Sequence, residues 1–483
     1  MKAALKKLTQ HTAVYGIGHI LTRSIGFLLL PIHTNYILPD AFGVASLLFS
    51  SLALMNVIFS YGMDTAFLRY FVLSDSREEK KEVFSTAFSM IVITGGLFTA
   101  CLLLFPEAFS QWIFRSQEYA TLIRLAAGIL YADALVLLPF LVLRGEEKPL
   151  AFASLKFVNV ILNFGLNILF IIVLKKGIFG IFLSNLLASL ATLATLLPIL
   201  MRWYRFQFSS VLLKQLLQFG LPYVPSGLAV IIMDQIGRFF LDRMEGQAAT
   251  GIFSASYKLG MIMALLVAAF RFAWHPFFLS TSKQADAEKI FARVLTYFLA
   301  VTGTIFLLVS LFLDQIIRFK IFGIQLYGEA FASGKGIVAI ILLAYIAYGA
   351  YVNFIVGIYL KKKTQALPWI TGLGALVSVL VNAFGIPVWG MTAAAWATFL
   401  AYFSMAVCLY LVSRNLYPVP YEWNRILILA GVIGGLYGIG QAIGSPALRL
   451  LIFPAFPVIL WGVRFWHEDE KRLFRRFGLR LKV

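Results

Sequence analysis

Charge is what this sequence has least of. Only 13% of its 483 residues are Asp, Glu, Lys or Arg, against about 25% in an ordinary globular domain. Acids are the scarcer sign, 22 against 41 bases, for a formal net charge of +19. Cysteine is nearly absent. Cys101 and Cys408 both sit inside apolar runs, where free cysteine packs as a small hydrophobe, so neither a disulfide nor a metal site is expected. No GxxxxGK[ST], HExxH, CxxC or GxSxG pattern occurs, and each of those would carry a chemistry. An enzyme, a bound metal and a resident cofactor are therefore not expected, and a primary pump would need its ATPase from a partner. The short basic start (Lys2, Lys6, Lys7) leads into an apolar stretch with no small-residue cleavage site, so it reads as an uncleaved first span rather than a signal peptide.

What is present is apolar surface: 60% hydrophobic residues and a mean hydropathy of +0.86. A spanning helix needs ~20 consecutive apolar residues. Stretches that meet this fall at about 13–38, 41–72, 83–105, 119–143, 150–174, 178–201, 215–240, 249–281, 289–313, 336–360, 366–386, 390–413, 425–442 and 447–464. The expected fold class is an all-α polytopic membrane protein of about fourteen transmembrane helices. With both termini cytoplasmic, lysine and arginine concentrate in the inner loops, as at Lys361–Lys363, which is the positive-inside pattern. That pattern accounts for the net charge without nucleic acid. The second and eighth stretches exceed a bilayer and are expected as single long helices projecting inward. The tail 465–483 is basic, with interleaved Phe474, Phe477 and Leu479; it is either an amphipathic surface helix or a solvated tail.

An offset of 208 residues lays Tyr15 on Tyr223, Gly43 on Gly251, Ser46 on Ser254 and Thr94-Gly95 on Thr302-Gly303. Six spans per copy start both copies on the same side, so the repeats are parallel. The expected organisation is an N-lobe over 1–210, a C-lobe over 211–414, two further C-terminal helices over 415–464 and the tail. The thirteenth span is rich in glycine, at Gly431, Gly434, Gly435, Gly438, Gly440 and Gly444; these small faces either dock the extra pair on a lobe, which is the favoured reading, or line a lateral opening, or dimerise. Pro31 in the first span, and Pro222 and Pro225 in the seventh, are expected to weaken the lead helix of each lobe.

Charges inside a bilayer are costly and mark function. Arg23 lies near the middle of the first span with no acid beside it; Lys156, Lys258 and Arg124 lie in the fifth, eighth and fourth. Together they are candidates for a cationic cavity that holds an anionic substrate. The competing reading is internal pairing, of Asp133 with Lys156 or Arg124 and of Asp234 with Arg238. The Asp234, Arg238, Asp242 ladder at i, i+4, i+8 is read as self-paired. Asp133 and Asp234 are also candidates for ion coupling. Asp64, Arg69 and Arg271, near inner helix ends, are expected in structural or inner-gate roles. The counterparts of Arg23, Asp64 and Arg69 in the second copy are Ile231, Phe272 and Phe277, which makes charge a feature of the first lobe.

The stretch Tyr15-Gly16-Ile17-Gly18, followed by Gly26-Phe27-Leu28-Leu29-Leu30-Pro31, resembles the start of the oligosaccharide and polysaccharide flippases. So does Gly62-Met63-Asp64-Thr65-Ala66-Phe67-Leu68-Arg69-Tyr70-Phe71, which is similar to that family's Gly-x-Asp-x-Ala-x-x-Arg-Tyr/Phe segment. In the second half, Asp234 to Leu241, Gly251 to Lys258, Ala269-Phe270 and Pro276-Phe277-Phe278 fit the same pattern. The resemblance implies the lobed architecture shared with multidrug-and-toxin exporters and lipid II flippases. It implies alternating-access transfer of a polyprenyl-pyrophosphate-linked oligosaccharide across the cell membrane, for cell-surface polysaccharide synthesis. Asn159 and Asn163, with Asn167, would then be glycan contacts or interhelical hydrogen-bonders. Implied partners are the lipid-linked glycan, membrane lipids, H⁺ or Na⁺ as coupling ion, and a polymerase and glycosyltransferases. Alternatives are a lipid II flippase or a cation-coupled multidrug antiporter of the same fold.

Overall fold

The computed structural model of the protein describes residues 25–321, 323–463, 465, 466 and 470. Arg23, the first half of the first span and nearly all of the basic tail lie outside them. Backbone polar groups in a bilayer must be satisfied within the segment, and the chain answers with helices. These are α1 (Leu30–Tyr36), α2 (Pro39–Ser60), α3 (Met63–Leu73), α4 (Arg77–Leu104), α5 (Pro106–Phe114), α6 (Ala120–Gly145), α7 (Pro149–Asn167), α8 (Gly177–Trp203), α9 (Ser210–Gly220), α10 (Val224–Met244), α11 (Gln247–Gly260), α12 (Ile262–Thr281), α13 (Ala287–Leu311), α14 (Leu313–Arg318), α15 (Ile337–Phe354), α16 (Val356–Leu360), α17 (Leu367–Trp389), α18 (Met391–Leu416), α19 (Trp423–Ala442), α20 (Pro446–Arg449) and α21 (Ile452–Gly462). Among the described residues, twelve helical segments are long and apolar enough to cross a membrane, and Pro446–Gly462 is a shorter apolar one. They follow the expected second to fourteenth spans in order, so this is a multi-pass membrane protein.

Local chemistry sets several boundaries. Ser76 Oγ accepts from the Glu79 amide at 3.1 Å and starts α4, with Glu78 and Glu79 in its first turn. Pro39 opens α2, where its missing N–H costs nothing. The second span is not the single long helix expected. Tyr61 and Gly62 are both left-handed, with φ of 34° and 77°, and they separate α2 from α3. Hydropathy carries no dihedral information, so the break is invisible to it. The glycine is required twice over: for its φ, and because a Cβ there would strike the Gly220 carbonyl. The eighth span is likewise divided, at Met261, into α11 and α12. At the proline of the seventh span, a 3₁₀ turn over Leu221–Tyr223 joins α9 to α10. In the first span the helix is interrupted at Leu29, just ahead of Pro31.

In the first lobe α6 packs on α8 and α4; in the second, α18 packs on α15 and α17, and α17 on α10. The lobes meet where α2 crosses α11 and α10. α19 rests on α13 and α21, and of its glycines Gly440 lies at that contact. Gly431, Gly434, Gly435 and Gly438 have no neighbour against them, while Ile433 fills the notch at Gly303 and Gly440 meets Leu311. The packing is reciprocal: a large side chain of α19 meets a glycine of α13 at one contact, and a glycine of α19 meets a large side chain of α13 at the other. Among the described residues the chain also forms one antiparallel hairpin, pairing Lys320 with Gln325 and Ile321 with Ile324.

Candidate functional site

Between the lobes lies a cavity of about 280 Å³. The first lobe contributes Ile25, Gly26, Leu29 and His33 from the first span, Ser46 and Phe49 from α2, Asn163 and Asn167 from α7, and Ile181 and Asn185 from α8. The second lobe contributes Gln235 and Arg238 from α10, and Ser254 and Lys258 from α11. Ser46 and Ser254 are repeat equivalents, so the cavity straddles the axis relating the two copies. No carboxylate is among its described lining residues.

The two cations are held by different means. Arg238 is 7% exposed. Its Nε donates to Ser254 Oγ at 3.1 Å, and its Nη1 donates to the Asp234 backbone carbonyl at 2.7 Å and to Gln235 Oε1 at 2.9 Å. Those acceptors are all neutral. Its guanidinium also lies over the Tyr257 ring, 4.8 Å from the centroid, a contact that stabilises a desolvated cation. Lys258 places Nζ 4.8 Å above the Phe42 ring. Ser50 bridges the lobes by donating to Gln235 Oε1 at 2.9 Å. The polar lining continues through amides. Asn167 is 1% exposed and stands where α7 passes into a π-helix over Ile168–Val173, a distortion often found at functional sites. Among the described residues the hollow is thus lined by two cations and several amides and by no carboxylate, groups of the kind that form charge-assisted hydrogen bonds with anions.

The structure separates the expected site residues, apart from Arg23, which lies outside the described residues. Lys258, Asn163 and Asn167 line the cavity. Arg124, Asn159, Lys156 and Asp133 do not. Arg124 is solvent-exposed and pairs with Glu107 at 2.8 Å, an acid that lies between the expected third and fourth spans. Asn159 donates to Ala188 O at 3.1 Å and Thr192 Oγ1 at 2.8 Å, joining α7 to α8. Lys156 lies 4.0 Å over the Phe140 ring, and Asp133 accepts from Ser189 Oγ at 2.8 Å, both inside the first lobe. Asp234 accepts from Tyr402 Oη, beside a Tyr257–Tyr345 hydrogen bond of 3.1 Å. Asp64 and Arg69 line a separate cavity of about 600 Å³ with Arg144 and Phe219, and Arg69 lies 4.4 Å over Phe219. Arg271 donates to Tyr348 Oη at 3.1 Å.

Sequence reasoning missed His33, Asn185 and Gln235, and set Arg238 aside as half of an i, i+4 pair. It also assigned charge to the first lobe, whereas both described cavity cations belong to the second. The signal for Arg238 was the Ser254 beside it: the repeated Ser46/Ser254 identity marked the face on which the cavity is built.

A family model described as "Polysaccharide biosynthesis protein" matches residues 8–282. Lsg locus putative protein 1 of Haemophilus influenzae is 22% identical over 285 residues, which are 58% of this chain and 67% of that protein. Among solved structures, lipid II flippase MurJ in an inward closed conformation superposes with a TM-score of 0.77 at 13% identity, over 94% of this chain and 99% of that one. A multidrug resistance MATE family transporter of the MOP superfamily, inward-facing, gives 0.65 at 15% identity, over 81% and 94%; an outward-facing form gives 0.60 at 15% identity, over 85% and 97%.

Proposed function

The chain belongs to the polysaccharide biosynthesis protein family, and from that premise we propose that it is a flippase for a polyprenyl-pyrophosphate-linked oligosaccharide. It carries the glycolipid from the cytoplasmic to the outer leaflet of the cell membrane for cell-surface polysaccharide synthesis. The observation that carries this reading is the inter-lobe cavity, with Arg238, Lys258 and four amide side chains and no described carboxylate. A pyrophosphate needs cations, and a glycan needs polar donors and acceptors.

The mechanism is alternating access, with lobes 1–210 and 211–414 as the moving bodies. With both termini cytoplasmic, the end of the bundle at Pro39 and Gln247 faces outward, where the lobes are in backbone contact, so this state is closed to the outside. The head group enters from the inner leaflet and its pyrophosphate settles between Lys258 and Arg238, while the lipid tail stays in the bilayer. The membrane potential, or an H⁺ or Na⁺ gradient acting through Asp133 or Asp234, returns the empty carrier. A polymerase and glycosyltransferases are its expected neighbours.

A second reading, a lipid II flippase, is supported by the 0.77 superposition on MurJ. A cation-exporting multidrug antiporter fits less well, because a cationic drug calls for acids in the cavity. Transport of a fluorescent polyprenyl-pyrophosphate oligosaccharide into proteoliposomes tests the reading, with lipid II and a cationic dye as comparators. Equal transport of the glycolipid by wild type and by the Lys258→Ala, Arg238→Ala double variant would rule it out.

A further inference from the structure

Among the described residues, the cavity wall includes a buried polar atom without a hydrogen-bond partner. His33 is 2% exposed and lines the cavity, yet its Nδ1 has no hydrogen-bond partner among the described residues. A buried polar atom in that condition is uncommon and calls for a reason. Its other nitrogen, Nε2, lies 3.1 Å from Asn167 Oδ1. The Asn167 amide nitrogen is committed elsewhere, to Asn163 O at 2.8 Å and Asn163 Oδ1 at 2.9 Å. An amide oxygen only accepts, so the proton of the neutral imidazole resides on Nε2. Nδ1 is then a bare lone pair, and it needs a donor.

The ring is also held in place. His33 donates its backbone N–H to Leu29 O at 2.9 Å and accepts from Ile37 at 3.1 Å. It sits against Phe42, with ring centroids 5.9 Å apart, and Lys258 Nζ lies over that same ring. An acceptor in a low-dielectric site beside a cation selects a ligand that presents an O–H or N–H close to an anionic group. A sugar attached to a phosphate does so.

We infer that His33 Nδ1 accepts a hydrogen bond from a hydroxyl or acetamido N–H of the sugar joined directly to the pyrophosphate. The relay Asn163–Asn167–His33 fixes the tautomer that makes this contact. The inference rests on the glycolipid reading above and adds to it a contact that discriminates a sugar from the bare lipid pyrophosphate.

The test measures binding of two probes to the full-length protein in nanodiscs by tryptophan quenching. One is a short-chain polyprenyl pyrophosphate; the other is the same compound carrying a single N-acetylhexosamine. In wild type the sugar should tighten binding about tenfold, the scale of satisfying one buried acceptor. His33→Phe should lose the increment and bind the two probes about equally. An unchanged increment in His33→Phe overturns the inference, as does a wild type to which the sugar adds nothing. Should His33→Phe lose the bare pyrophosphate as well, Asn167→Leu carries the test. It removes the oxygen that fixes the proton on Nε2 and should shrink the increment; an undiminished increment overturns the inference. A wild type that binds neither probe, or whose affinity for the bare pyrophosphate is untouched by Lys258→Ala, sinks the parent reading instead.

Discussion

Gly43 and Gly251, equivalent at the 208-residue offset, are each pressed against the backbone of the other's helix. A Cβ on Gly43 would strike the Gln247 carbonyl, and one on Gly251 would strike that of Pro39. Pro39 and Gln247 are themselves equivalent at the same offset, so the contact is a pseudo-two-fold pair made by the first turns of α2 and α11. The cavity begins one turn further on, at Ser46 and Ser254. Because the clashing atoms are backbone, no rotamer change relieves an added side chain. Overpacking of this kind costs about 1–3 kcal/mol, which is roughly a five- to hundredfold shift between closed and open states. Gly251→Val should therefore expose the cavity at this end. Ser254, 1% exposed, is the reporter: Ser254→Cys should resist a membrane-impermeant maleimide in the parent and react in the Gly251→Val background. Equal labelling in both would mean that the crossing is not the gate.

A second contact bridges the same end. The segment around the hairpin belongs to the second lobe, and it grips the end of α1 in the first. Gly328 N donates to Thr34 Oγ1 at 3.0 Å, and Asn35 Nδ2 donates to Gln325 O at 2.8 Å. Thr34 and Gly328 are both buried, so Thr34→Val strands a backbone N–H at a cost of ~1–3 kcal/mol. The variant should shift toward the opened state, seen as a longer spin-label separation between sites on the hairpin segment and α1. Thr34→Ser keeps the hydroxyl and should behave as wild type. A Thr34→Val distance distribution matching the parent would count against the clasp.

Not all intramembrane cations are equivalent. Lys258 and Arg238 face the cavity, whereas Lys156 is stacked on Phe140 within one lobe and Arg124 is satisfied by Glu107 at the surface. Hydrogen bonds to a charged group contribute about 1.5–3 kcal/mol. Lys258→Met or Arg238→Met should lower glycolipid transport roughly ten- to hundredfold, with Lys258→Arg retaining most of it. Lys156→Met and Arg124→Gln should stay within about twofold of wild type. The ranking fails if Lys156→Met matches Lys258→Met in transport at equal membrane abundance.

The span map was legible because a bilayer imposes one coarse requirement, length of apolar helix, that a sequence must meet openly. The repeat was legible at positions where two backbones touch, as at Gly43 and Gly251, since no other residue fits there. The charges were harder. Arg238 and Asp234 satisfy an i, i+4 rule that considers a single helix, but the guanidinium turned to Ser254 on the next one. His33 gave no signal, because its role depends on Asn167, 134 residues away. Asn159 and Asn163 look alike along α7, yet one faces α8 and the other the cavity; only the rotation of the packed helix separates them.

Arg425 carries the clearest stability prediction. Its position after Glu422 places it among the basic inner-loop residues, where exposure would be expected, yet it is 8% exposed. Nη1 donates to Glu422 at 2.8 Å and Nη2 to Glu470 at 3.0 Å, and the guanidinium lies 4.6 Å over Phe465. Glu422 also accepts from Thr296 Oγ1 at 2.7 Å, and Glu470 from Tyr297 Oη. The triad thus ties the start of α19 and the chain beyond α21 to α13. Removing the cation alone leaves the buried Glu470 carboxylate and the half-buried Glu422 carboxylate without it, so Arg425→Ala should destabilise by about 3–5 kcal/mol. Thermal unfolding in detergent would register this as a lowered midpoint. Removing a carboxylate as well relieves part of that penalty, so Arg425→Ala combined with Glu470→Ala should fall short of the sum of the two single losses. A double-mutant cycle measures the shortfall directly. Additivity to within ~0.5 kcal/mol would show that the two side chains do not depend on one another.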